Sequence, residues 1–216
     1  MTTSLPDFEL IETLRWQRSQ GYYLLERHLA RLAKSARELG FECCQTDVLN
    51  CLNQAIPAFS AEVERVRLLL SRDGRTSLTH TPIELPDEDY TMLFAISDKI
   101  TDSSDNLYRH KTTRRELYDG ERVCLQKITG CDEVLFTNER GEITEGSITT
   151  VFIEKDGVLK TPPVDSGVLP GTLRAQLLDN EAVLIKEATL TPADLKSADR
   201  IFLGNSVRGL IKARQV

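Results

Sequence analysis

Residues 26–39, ERHLARLAKSAREL, place Leu29, Leu32, Ala33, Ala36 and Leu39 at the spacing of one helical face, with strand-like runs on either side. A chain built this way folds as helix packed on sheet rather than as either alone. Gly40 is a natural stop for that helix. Before it, residues 8–16 alternate and are β-prone, and a turn near Gly21 leads into YYLL, which predicts a hairpin. After it, Asp47 is placed to cap a second helix that runs to Phe59. VERVRLLLS, the turn Asp73-Gly74 and residues 77–81 read as a further hairpin, followed by a strand over residues 90–97.

The stretch TDSSDN, residues 101–106, is polar and turn-rich and is the best candidate for a linker. The expected domains are therefore residues 1–105 and 106–216. Beyond the linker, YRHKTTRRELYDGERV reads as an extended segment running into a helix. EVLFTN, residues 139–142 and ITEGSITTVFIE read as strand, turn and strand. The loop SGVLPG leads into a helix over residues 172–180, another helix starts at residues 191–194, and IFLGNS is the closing strand.

With 216 residues and 40% hydrophobic content, the chain can bury a core in one large domain or two small ones. Its net charge of −6 argues against a nucleic-acid backbone as partner. It leaves room for a small anion, because a few arginines can make a pocket positive inside an acidic protein. The five cysteines contain no CxxC pair and stand with three histidines, so zinc ligands are few. They read as reduced thiols of a cytoplasmic protein. MTTSLPDFEL lacks a basic region followed by an apolar run and is not a secretory signal. No apolar stretch approaches the roughly 20 residues that span a bilayer.

Lys111 stands among Arg109, His110, Arg114 and Arg115. Neighbouring cations disfavour the ammonium form, and a neutral lysine is what Schiff-base chemistry needs. Taken alone, the segment reads more simply as a solvated basic stretch. LPGTLR and GNSVRG could each cradle an anion, through Gly171 and Thr172 at a helix start and through Asn205 and Ser206 after a strand. Ordinary capping accounts for each of them equally well. Glu145, beside Gly146 and Ser147, is either a buried carboxylate able to pair with a protonated ring nitrogen or a surface turn residue. His28 and Arg31, three apart on one helix face, read first as a helix-surface pair.

Five blocks occur in order: YLLERHLARLAKSARELGF, HKTTRRELYD, DEVLFTNERGEITEGSITTVF, LKTPPVDSGVLPGTLR and ADRIFLGNSVRGL. Together they resemble the class IV aminotransferases, the fold type IV enzymes of pyridoxal 5′-phosphate (PLP), over residues 8–210. HKTTRR with a following tyrosine, and the ending GNSVRG, are most similar to the aminodeoxychorismate-lyase-like branch. The resemblance implies an α+β fold of two small α/β domains with the cofactor in the cleft between them. It implies that Lys111 links covalently to PLP and later shuttles protons, and that Glu145 keeps the pyridine nitrogen protonated so that the ring acts as electron sink. Arg31 would bind the phosphate, with Thr172, Leu173, Asn205 and Ser206 completing the cup, and Tyr118 would stand near the ring.

The activity implied is that of a lyase acting on an amino-acid-like substrate, converting 4-amino-4-deoxychorismate to 4-aminobenzoate and pyruvate in folate synthesis. The alternative is a class IV transaminase for branched-chain or D-amino acids. A non-catalytic PLP-binding protein is a third reading, against which the presence of both Lys111 and Glu145 stands. Arg15, Arg67 and Arg208 are candidates for holding substrate carboxylates. A homodimer is implied as well, with no membrane partner. The sequence departs from the family in three places. The Asn-Gly hairpin and Gly-Asp-Gly segment of longer relatives have no counterpart, Thr150 stands where asparagine is common, and the chain stops soon after GNSVRGL. None of these touches Lys111 or Glu145; they bear on the substrate pocket.

Overall fold

The computed structural model describes residues 8–216; residues 1–7, on which much of the reading against a secretory signal rests, lie outside the described residues. The fold is α+β with two sheets. The chain divides into two compact units. One runs to Leu85 and takes in His110–Arg114, and the other comprises Pro86–Arg109 and Arg115–Val216. Residues 105 and 106, where the sequence suggested a break, both lie in the second unit.

The first unit contains β1 (Leu10–Gln17), β2 (Gly21–Tyr22), α1 (Leu25–Leu39), α2 (Gln45–Ala55), β3 (Val63–Leu70) and β4 (Thr76–Pro82), with strands in the order β2-β1-β3-β4. Antiparallel register pairs Leu10 with Leu70, Leu14 with Val66 and Trp16 with Glu64. Successive side chains alternate across a strand, so these residues share one buried side. α1 turns His28, Leu29, Leu32, Ser35 and Ala36 inward. Gly40 ends α1 in the left-handed region at φ 71°, its N–H donating to the Ala36 carbonyl. The second helix departs from expectation. Cys44 is its N-cap, and Asp47 stands inside the first turn, where a negative charge complements the helix dipole. The helix ends at Ala55, and a 3-10 turn containing Pro57 follows. YYLL supplies only Tyr22 to the two-residue β2, because Leu24 is the N-cap of α1, which begins at Leu25.

The second unit contains β5 (Thr91–Thr101), α3 (Glu116–Thr129), β6 (Glu133–Asn138), β7 (Ile143–Gly146), β8 (Thr150–Lys155), β9 (Val158–Thr161), α4 (Thr172–Leu178), β10 (Ile185–Glu187), α5 (Pro192–Ser197), β11 (Arg200–Asn205) and β12 (Gly209–Gln215). Its sheet has the order β10-β9-β8-β11-β12-β5-β6-β7. Phe94, Leu135, Ile143, Val151 and Leu203 pack into one core cluster. Ala95, Val134, Phe136 and Tyr118 form another. α5 opens with a capping box of Thr191 and Asp194 around Pro192, at the helix start suggested by the sequence. Two expectations change here. ITEGSITTVFIE is two strands, separated at residues 147–149, and the chain after IFLGNS forms the further strand β12.

Candidate active site

Lys111 lies in an extended segment beside β1. Its carbonyl accepts the Ile11 N–H at 2.8 Å, Thr112 bridges Leu10, and the Thr113 N–H donates to the Glu9 carbonyl at 2.9 Å. His110 Nδ1 is 2.9 Å from Ser35 Oγ on α1, so His110 and Thr112 face the helix side. Alternation then turns Lys111 to the opposite side, level with Ile11. The register of β1 with β3 puts Thr13, Arg15, Arg65 and Arg67 on that same side. β4 adds Thr79 and Thr81. Among the described residues of β1, β3 and β4, none on this side is acidic. Lys111 therefore shares one sheet face with three arginines. Arg15 is half-buried there, its guanidinium carbon 4.3 Å from the centre of the Tyr23 ring.

Arg31 sits on the helix-covered side. Its Nε donates to Glu12 Oε1 at 2.9 Å and one Nη to Glu12 Oε2 at 2.6 Å. His28 Nδ1 lies 2.6 Å from the same Oε2. Burial alone would raise the Glu12 carboxyl, but the Arg31 charge, with His28, outweighs it and holds the group at about 2. His28 and Arg31 are thus not a surface pair: His28 is 1% exposed, and both close on a buried carboxylate. The sequence reading passed over Glu12. Its signal was an acidic residue at an inward position of an alternating strand, which is rare unless the charge is paired.

In the second unit, Glu145 is buried on β7. Its Oε1 accepts the Tyr118 O–H at 2.9 Å, and its Oε2 accepts the Leu169 N–H at 3.1 Å. Burial and the Glu145 charge push the Tyr118 phenol well above its ordinary value, so the phenol remains a donor. The turn that follows is fastened by Glu133, another residue missed in the sequence. Its carboxylate accepts N–H groups from Val134 at 2.8 Å, Ser147 at 3.0 Å and Ile148 at 3.1 Å, and the hydroxyls of Ser147 and of Thr149, the latter at 2.8 Å. A Cβ on Gly146 would stand 2.2 Å from Thr149 Oγ1 and 3.0 Å from the Glu133 carboxylate. Glycine is therefore required directly after Glu145. The Arg115 guanidinium donates to the Ser147 carbonyl.

The loop carrying Leu169 is anchored separately. Glu142 accepts from Asn138 Nδ2 at 2.7 Å, from Ser166 Oγ at 3.1 Å and from Arg140 at 2.7 Å. Arg140 foremost, with Asn138, holds the Glu142 carboxyl at about 2. Gly167 adopts φ 86°, and a Cβ there would lie 2.7 Å from the Ser103 Cα.

Thr172 and Leu173 form the buried start of α4. A Cβ on Gly204 would meet Leu173 Cδ2 at 3.0 Å and the Gly209 carbonyl at 2.8 Å, so the first turn of α4 rests on the end of β11. That brings Thr172 and Leu173 beside the turn of Asn205 and Ser206. Asn205 shapes this turn: its Oδ1 accepts the Val207 and Arg208 N–H groups at 3.0 Å each, and its Nδ2 donates to the Ile148 carbonyl at 3.1 Å. Thr150 lies beneath the start of α4, its Oγ1 2.8 Å from where a Gly171 Cβ would be. Among the described residues no cluster of His, Cys, Asp or Glu could hold a metal, and no helix is long and apolar enough to cross a membrane.

A family model, amino-transferase class IV, matches residues 9–216. The chain belongs to the class IV aminotransferase family. A crystal structure titled "Putative amino-acid aminotransferase", from Mesorhizobium loti, is similar at 46% identity and a TM-score of 0.91, over 97% of this chain and 100% of that one. A Schizosaccharomyces pombe protein named "Putative aminodeoxychorismate lyase" is 28% identical over 88% of this chain and 83% of its own length. A Thermotoga maritima protein named "Probable branched-chain-amino-acid aminotransferase" is 28% identical over 95% and 76%. As a class IV enzyme the chain is a PLP-dependent lyase or aminotransferase. Its residues fit that cofactor. The second unit offers a buried carboxylate held by two donors and, separately, a glycine-lined junction of helix start and strand end with Thr172 and Ser206.

Proposed function

We propose that the chain is a 4-amino-4-deoxychorismate lyase, releasing pyruvate and leaving 4-aminobenzoate. The observation that carries this reading is the sheet face that Lys111 shares with Arg15, Arg65 and Arg67. The aminodeoxychorismate substrate carries two carboxylates, and guanidinium groups match carboxylates in charge and in fork geometry. A branched-chain amino acid carries a single carboxylate and would use only one of these guanidinium groups. Arg15 and Arg67 are the arginines assigned to the substrate, with Arg65 beside them.

PLP, when bound, supplies an electron sink for the charge left at the reacting carbon. Lys111 would hold the cofactor covalently and, once the substrate amine has taken its place and freed Nζ, would take the proton from the substrate carbon there. Glu145 holds a proton at the pyridine nitrogen, while Tyr118 and the Leu169 amide keep its carboxylate in place. Thr172, Leu173, Asn205 and Ser206 are assigned to the phosphate, and so is Arg31, whose guanidinium must then share Glu12, which already accepts from its Nε and one Nη. For Asn205 the support is indirect, through the turn it shapes. A role in folate synthesis, a cytoplasmic location and a homodimer belong to the same reading. A transaminase is the second reading, favoured by the names of the Mesorhizobium and Thermotoga relatives.

One experiment separates them. Purified protein with PLP is mixed with aminodeoxychorismate and with a panel of branched-chain and D-amino acids, and the cofactor spectrum and products are followed. Pyruvate with 4-aminobenzoate selects the lyase. Accumulation of pyridoxamine phosphate with an amino acid selects the transaminase. Borohydride reduction and peptide mapping should label Lys111; label on another lysine overturns its assignment under both readings.

A further inference from the structure

Tyr118 is more than a neighbour of the candidate site. It follows Lys111 by seven residues, yet its O–H is directed at Glu145, which lies 27 residues further along the chain. The ring is fixed on several sides. Phe136 packs edge-on at 4.7 Å between centroids, Tyr108 edge-on at 5.8 Å, and the Arg115 guanidinium stands 5.5 Å from the ring centre. The same Arg115 donates to the Ser147 carbonyl. The start of α3 therefore grips the Glu145-Gly146-Ser147 segment at two points, the carboxylate through Tyr118 and the backbone through Arg115. A phenol on a carbon chain this crowded has little freedom to swing away, and a buried phenol needs a partner.

We propose that Tyr118 is a positioning residue that acts through Glu145: its O–H holds the carboxylate ionised and aimed, so that the carboxylate in turn keeps the cofactor's ring nitrogen protonated. This rests on the assignment of Glu145 to the ring nitrogen. A hydrogen bond to the charged form of a carboxylate favours that form. Without the phenol O–H, the proton shared between ring nitrogen and carboxylate shifts towards the carboxylate, and the ring withdraws electrons less strongly. Tyr118→Phe keeps the ring and its packing while deleting this one donor.

The test uses holoenzyme reconstituted with PLP in four forms: parent, Tyr118→Phe, Glu145→Gln and the double variant. Each is read by the PLP dissociation constant, by the pH midpoint of the bound cofactor's visible absorbance change, and by turnover of aminodeoxychorismate. Tyr118→Phe should bind PLP within about threefold of the parent, since the phosphate contacts are untouched. Its absorbance midpoint should rise, in the direction of Glu145→Gln but by less. Its kcat should fall by about tenfold to a hundredfold, the value of one hydrogen bond to a charged group, with KM little changed. The double variant should match Glu145→Gln in midpoint, as a phenol that acts only through the carboxylate requires.

A parent-like midpoint in Tyr118→Phe, beside a shifted one in Glu145→Gln, overturns the role of Tyr118 and leaves that of Glu145 standing. Additive shifts in the double variant overturn it too. A parent-like midpoint in Glu145→Gln overturns the assignment of Glu145 itself, and this proposal with it. Should Tyr118→Phe fail to fold, Tyr118→3-fluorotyrosine keeps a more strongly donating phenol and should move the midpoint downward; an upward or absent shift counts against the proposal.

Discussion

Glu12 in the first unit and Glu133 in the second are both buried carboxylates that brace a candidate site residue, and they solve the burial of charge in opposite ways. Glu12 is met by the Arg31 guanidinium, an ionic partner, and by the His28 ring. Glu133 is surrounded by neutral donors, three backbone N–H groups and two hydroxyls. The first arrangement orients a side chain, Arg31. The second orients a stretch of backbone, the turn directly after Glu145. Removing a charge from water is costly in either case, and only several directed partners offset it. The first arrangement holds its carboxyl well below the ordinary value, and the second ties down a turn.

The largest effect should come from Glu133→Ala. It strands the Ile148 N–H and the hydroxyls of Ser147 and Thr149, each costing about 1–3 kcal/mol, while the Ser147 N–H keeps the Val134 carbonyl at 2.8 Å. A loss of more than about 3 kcal/mol in urea unfolding is expected. A loss under about 1 kcal/mol would mean that the ring of donors re-forms without the carboxylate.

Glu12→Gln comes next, at about 3 kcal/mol, the cost of removing one partner from a buried ion pair. Its pH dependence sharpens the contrast. The Glu12 carboxyl is lowered from 4.5 to about 2 in the folded protein. Its stabilising effect is therefore fully present above about pH 4.5 and is lost as the pH falls through about 2. The stability gap between parent and Glu12→Gln should narrow across that window; a gap independent of pH would show that the ionic description of this cluster is wrong.

Arg31→Ala should weaken PLP binding at least roughly tenfold, by titration monitored at the cofactor's absorbance. Parent-like affinity would leave Arg31 as a structural partner of Glu12 alone. The smallest effect is expected of Arg18→Ala. Arg18 and Glu62 form an ion pair at 2.9 Å, but both side chains are exposed. Loss of an exposed pair should cost less than about 1 kcal/mol of unfolding free energy. A cost comparable with Glu12→Gln would break the claim that burial, rather than pairing, separates these sites.

The sequence by itself determined what periodicity and turn chemistry can express. α1 and its glycine stop, the start of α5, the Asp73-Gly74 turn and the mixed α+β class were all legible, because each depends on residues within a few positions of one another. The ordered blocks also carried the family, which the match over residues 9–216 bears out. The tertiary structure decided what depends on distant residues. Cys44 rather than Asp47 begins α2, β12 pairs in parallel with β5, and ITEGSITTVFIE breaks in two at residues 147–149, where Glu133 accepts from Ser147, Ile148 and Thr149. It also decided that Tyr118 reaches Glu145, that Glu12 holds Arg31, and that Lys111 shares a face with three arginines. The reason is physical. Local propensity is worth fractions of a kcal/mol per residue and is written in neighbouring letters, whereas a buried charge is stabilised by whichever donors the folded chain brings to it, and no local pattern records which those are.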